Sequence, residues 1–142
     1  MRRTLQILLL TTLMLASVAA LAAGLSRKQR NLLEEAQNAY GATIRWGSAE
    51  DAIGYLDPDY RKAHPLTELE LRRYSQIRVS SYRERSTGAM PDGSVERRVE
   101  IGVINVNTKA ERLVLVREVW RWDAEGKRWW QASGLPDLWP ES

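Results

Sequence analysis

The 142-residue chain has no cysteine, no phenylalanine and one histidine. Without cysteine no disulfide can form, so stability must come from a packed core. One histidine without cysteine leaves no metal site of the usual histidine–cysteine kind, and no cofactor is implied. Also missing are a G-x-S-x-G elbow, a P-loop, a glycine-rich dinucleotide fingerprint and acids at calcium-loop spacing. The chain shows no internal repeat, no low-complexity tract and no linker long enough to separate two domains.

One long hydrophobic run is present, at the start. "MRRTLQILLLTTLMLASVAALAAG" has two arginines, an apolar stretch from Leu5, and small residues ending in Ala20-Leu21-Ala22. These parts match a signal peptide over residues 1–22, cut before Ala23. The alternative is an uncleaved anchor, since Ile7 to Leu25 nearly suffices to span a bilayer. Arg27, Lys28 and Arg30 just beyond the run are unusual on the far side of an export signal, because positive charge tends to stay inside. Cleavage makes the protein periplasmic or secreted, and retention anchors it in the inner membrane facing the periplasm. Either way residues 23–142 are expected to form one domain in the cell envelope, as in a bacterial exported protein.

The whole chain carries a formal charge of +3. Arg2 and Arg3 lie in the leader, so the remainder is close to neutral, with both signs interspersed. Arg72-Arg73 and Arg97-Arg98 are pairs, not a patch, and nucleic-acid binding needs a concentrated basic face. No nucleic-acid partner is expected.

The first half beyond the leader predicts helices. Ser26 and Gln29 make a capping box. Leu33, Ala36, Tyr40 and Ile44 form one apolar stripe, and Gly47 is a natural stop. Ser48 starts a second, shorter helix with Glu50 and Asp51 in its first turn. Pro58 and Pro65 are expected to break it across "DPDYRKAHP". Thr67 caps a third helix, "ELELRRY".

The second half predicts an antiparallel meander. In "SQIRVSSYRER", Ile77 and Val79 share one face, with Arg78, Ser80, Tyr82 and Glu84 on the other. Val95, Val99, Ile101 and Val103 alternate with Glu96, Arg98 and Glu100 in the second strand. "RLVLVREVWRW" and "RWWQAS" are the last two strands. Gly126 is expected at a left-handed turn position between them. Trp120 and Trp122 share a face with Val114 and Val116. Trp129 and Trp130, being adjacent, point to opposite faces. Most of these indoles are expected to fill the space between sheet and helices, leaving one or two rings for a ligand.

The order of elements, carried by "AQNAYGATIRWGSAEDAIGYLDPDYR" and "VWRWDAEGKRWW", resembles the NTF2-like superfamily, the α+β cone fold also called cystatin-like. The resemblance implies N-terminal helices packed on a curved four-stranded antiparallel meander, with a cone-shaped pocket between them. It also implies that proton transfer, where present, uses acids, tyrosines and histidines lining the cone. Here the candidates are His64, Asp59 and Tyr60, although Pro65 places His64 in a loop and "DPDY" reads as a helix-stopping turn. Candidate ligand contacts are Tyr40, Tyr55, Trp129 and Trp130. Pairing of copies through the sheet is common in the family, which points to a homodimer, or contact with an envelope protein, centred on Gly102, Ile104 and Val106.

Two functions from different classes follow. One is a non-enzymatic envelope domain that binds a small apolar ligand or a partner protein; it expects no acid or histidine on the inner face. The alternative is a small enzyme of the isomerase or dehydratase type, with His64 or Asp59 in the cone beside Tyr40 or Tyr55.

Overall fold

A computed structural model describes residues 24–139. The segment expected to be a leader or anchor, residues 1–22, lies outside them, and no described helix is long and apolar enough to cross a membrane. Helix α1 (Arg27–Trp46) opens on the Ser26–Gln29 capping box, closed by hydrogen bonds of 3.0 and 2.9 Å, and ends at Gly47. Its inward stripe buries Leu33, Tyr40 and Gly41, with Ala36 and Ile44 packed alongside. Gly41 lets the helix lie close to the sheet: a Cβ there would fall 2.9 Å from Tyr82 Cε1.

Three short helices follow. Helix α2 (Ala49–Ala52) is capped by Ser48 and Asp51, and a 3-10 turn over Ile53–Tyr55 continues from it. Helix α3 (Pro58–Ala63) lies inside "DPDYRKAHP", a stretch expected only to break the preceding helix. Asp57 accepts a hydrogen bond from the Asp59 N–H as the N-cap, and Pro58 takes the first helical position. There its missing N–H costs nothing and its fixed φ suits a helix. Helix α4 (Glu68–Tyr74) is closed by a Thr67–Glu70 capping box.

Strands β1 (Ile77–Ala89), β2 (Val95–Asn105), β3 (Glu111–Asp123) and β4 (Arg128–Gln131) form one antiparallel sheet in sequential order. The molecule is thus α+β, helices first and a four-stranded meander second. Beyond β4, Leu56 pairs with Gln131, and Asp57 donates its N–H to Gln131 O at 2.8 Å. That segment covers the β4 edge, which would otherwise offer unpaired backbone groups.

Strand β1 is longer than the sequence pattern suggested and carries two register shifts, between Val79 and Ser81 and between Glu84 and Ser86. An extra residue in one strand reverses the facing of everything after it. After the first shift Tyr82 pairs with Ile101 and Glu84 with Val99, so both join the face of Ile77 and Val79. Simple alternation had put them on the opposite face.

The inner face carries two clusters. One gathers Leu33, Tyr40, Ala52, Val95, Trp120 and Trp129, with Trp122 against it. The other gathers Val99, Ile101, Val103, Val114 and Leu138. Trp120 is fully buried, and its ring meets Tyr40 edge-on at 5.5 Å. The β3–β4 turn differs from expectation at its left-handed residue, which is Lys127 (φ 50°) and not Gly126. Gly126 serves close approach: its N–H donates to Asp123 Oδ1 at 3.1 Å, and a Cβ would sit 2.7 Å from Oδ2.

Candidate functional site

The inner face is not purely apolar. Arg97 and Glu118 are partners in the β2–β3 ladder, and both side chains are buried. Arg97 Nε donates to Glu118 Oε1 at 3.0 Å, and a terminal guanidinium nitrogen donates to Tyr82 Oη at 2.8 Å. Tyr82 in turn donates its hydroxyl to Glu118 Oε2, and Trp120 Nε1 donates to Oε1 at 3.1 Å. Burial first, then the nearby Glu118 charge, raises the Tyr82 phenol above its ordinary range; the same two causes raise Tyr40. Both phenols therefore stay neutral, and Tyr82 remains a donor to the carboxylate. This cluster overturns the expectation that no acid faces inward. Every oxygen of Glu118 has a donor, so the group is built to hold the sheet to α1, whose Gln37 O accepts from Arg97 at 3.4 Å.

Two clefts open on the outside of this core, and neither is lined by Arg97, Glu118, Tyr82 or Trp120. The first, of about 510 Å³, lies between the end of α1, helix α4, the start of β1 and the segment 135–138. Ile44, Leu71, Ile77, Val79, Leu135 and Leu138 make its apolar walls. Arg45, Trp46, Glu50 and Arg78 stand at its polar margin. Trp46 is 76% exposed, and the Arg45 guanidinium stacks 4.6 Å from its ring centre. Arg45 also donates to Ser80 O at 3.3 Å, the carbonyl of the first β1 bulge.

The second cleft, of about 670 Å³, lies between α3, α4 and the C-terminal segment, and includes Tyr60, His64, Glu70, Tyr74 and Asp137. His64 is exposed. Its ring stacks on Tyr60 at 4.4 Å, and Nδ1 lies 3.3 Å from Tyr60 O in its own helical turn. Tyr74 donates to Pro136 O at 2.7 Å. Asp59 is exposed and not part of either cleft. The structure thus brings His64 and Tyr60 together, but on an outer surface and not on the inner face beside Tyr40.

The four aromatic candidates do not form one platform. Tyr40 and Trp129 are core residues, 1% and 2% exposed, with Trp129 Nε1 bonded to Gln29 O at 2.9 Å. Tyr55 sits at the core margin, 5.9 Å from the Tyr40 ring. Trp130 lies on the opposite face of the sheet, paired with Arg121 while Trp129 pairs with Trp122. Arg128 stacks on the Trp130 ring at 3.5 Å, and Trp130 Nε1 donates to Asp123 Oδ2 at 3.1 Å.

The acid of "DPDY" with a long-range partner is Asp57. Arg121 Nε donates to Asp57 Oδ2 at 2.5 Å, joining the outer face of β3 to the cap of α3. Burial alone would raise this carboxyl, but hydrogen bonds from Arg121 and the Asp59 N–H, with the charge of Arg121, hold it below its ordinary value. Its signal in the sequence was the N-cap position before Pro58. Arg97 and Glu118 had a signal too: each shares parity with the inward valines of its strand. Among the described residues no group of three or more acids and histidines is placed to hold a metal. No family model matches this chain, and no curated protein or solved structure is significantly similar to it.

Proposed function

We propose that this chain is a non-enzymatic, exported cell-envelope domain of the NTF2-like type that binds a small apolar ligand in the cleft between α1, α4 and β1. The observation that carries this reading is the cleft itself, about 510 Å³ with apolar walls supplied from four separate elements. That size falls within the usual range for ligand pockets. The helices-then-meander order supports the fold family. The family's interior pocket has no room here, because Tyr40, Trp120 and Trp129 fill the space under α1. Catalysis is disfavoured by the exposure of His64 and by the contact of its ring Nδ1, which runs to Tyr60 O in its own helical turn. Nile red, a neutral apolar dye, tests the reading. It should bind the purified protein at one site, and Leu71→Glu should abolish binding while leaving the urea midpoint close to wild type. Equal binding by both proteins would overturn it.

The outer sheet face supports a second reading, self-association. Leu113 and Leu115 are 64% and 58% exposed there, among Glu96, Glu100, Arg98 and Arg117. Charges of both signs on one face let a second copy pair with it about a two-fold axis. Of the residues expected at the centre of such a contact, Gly102 is already covered: a Cβ there would lie 2.6 Å from Ser81 Oγ. Light scattering of wild type against Leu115→Lys decides this, with a dimer expected only for wild type.

A further inference from the structure

We infer that the ligand of the first cleft is a single-chain amphiphile with an anionic head, its tail along Leu71, Val79 and Leu138 and its head at Arg45 and Arg78. This rests on the cleft being the binding site and adds the class of molecule it takes.

The cleft joins apolar walls to an exposed, charged margin that includes Arg45, Arg78 and Glu50. A wholly apolar guest would satisfy the walls but leave that margin facing solvent or an uncharged end. Arg45 and Arg78 outnumber the single acid there, Glu50. Neither arginine takes part in an ion pair among the described residues, whereas Arg85, Arg98 and Arg117 on the outer face each pair with a glutamate. Among the described residues no acid therefore pairs with this surplus charge.

Arg45 is also held in place before any ligand arrives. One terminal nitrogen is tied to the Ser80 carbonyl, and the guanidinium plane rests on Trp46. A guanidinium has five N–H donors, so several remain for an oxyanion. Restricting the side chain beforehand lowers the ordering cost of binding. Trp46 suits the boundary between head and tail, since an indole presents an apolar face and one polar N–H.

The test is calorimetric titration of the full exported domain with four probes sharing one twelve-carbon chain: dodecanoate, dodecyl phosphate, dodecanol and dodecyltrimethylammonium, each below its micelle concentration. Both anions should bind at least about tenfold tighter than dodecanol, in line with a charge-assisted hydrogen bond. The cation should bind weakest. The preference should shrink in high salt and vanish in the Arg45→Gln/Arg78→Gln variant, with dodecanol affinity retained. Which anion binds tighter names the head group. Equal affinity for dodecanol and the anions would overturn the inference while leaving the cleft a binding site. Failure of all four probes would overturn both. An anion preference that survives in the double variant would remove the head from these two arginines.

Discussion

Arg97 and Glu118 face each other across the β2–β3 ladder with Nε 3.0 Å from Oε1, and both side chains are buried. Removing one partner of a buried ion pair leaves an uncompensated charge, at a cost of about 3–5 kcal/mol. Arg97→Met and Glu118→Leu should each lose about that much in urea unfolding. The double variant should recover a large part of the loss, because the stranded charge is gone. A double variant as unstable as the sum of the singles would refute the coupling. Tyr82→Phe removes one donor to the carboxylate and should cost about 1–3 kcal/mol.

Trp129 and Trp130 are neighbours with opposite fates. Trp129 is buried against α1, and Trp130 is half-buried under Arg128 on the far face. Trp129→Ala should cost about 3–5 kcal/mol, as a large aromatic leaving a cavity does. Trp130→Ala should cost clearly less. Acrylamide should quench Trp130 before Trp129, read in the two single Trp→Tyr variants. Equal losses of stability would contradict the placement of the two faces.

Gly134 has φ +84°, and a Cβ there would lie 2.7 Å from Tyr60 Cε1. Backbone strain and collision act together, so Gly134→Ala should destabilise by about 1–3 kcal/mol. The paired variant Gly134→Ala/Tyr60→Ala should relieve the collision but keep the backbone strain. If the single substitution leaves the unfolding midpoint unchanged, the Gly134–Tyr60 contact is wrong.

The lowered carboxyl of Asp57 makes acid a selective stress. A carboxyl with a folded value below its unfolded value near 3.8 contributes fully above that value. The contribution is lost as pH falls through the folded value. Urea midpoints measured from about pH 5 to about pH 2.5 should fall less steeply in Asp57→Asn than in wild type, since Asn keeps the cap without the titration. Parallel curves would show that the Arg121–Asp57 pair does not respond to pH.

Much of the fold could be read before any coordinates. Ser26, Ser48 and Thr67 each capped a helix because the side-chain oxygen and the acid or amide three residues on satisfy local donors. The inward placing of Trp120 followed from its parity with Val114 and Val116. Tyr82 could not be read this way, because its facing depends on the bulge at Ser80, and Gly102 opposite makes room for that bulge. The α3 start was hidden by treating Pro58 as a breaker when it occupies the one turn a proline favours.

The candidate site was less legible than the fold. Its walls come from α1, α4, β1 and the segment near Leu138, and nothing in any one of those stretches marks them as neighbours. Composition and alternation set the helices, the strands and the order of the meander, because these depend on residues a few positions apart. Tertiary packing alone decided that Arg97 and Glu118 could be buried, that the space under α1 would be filled, and that the remaining cleft would open beside Arg45. Those outcomes depend on partners far apart in the chain, whose charges and volumes are compensated only once they meet.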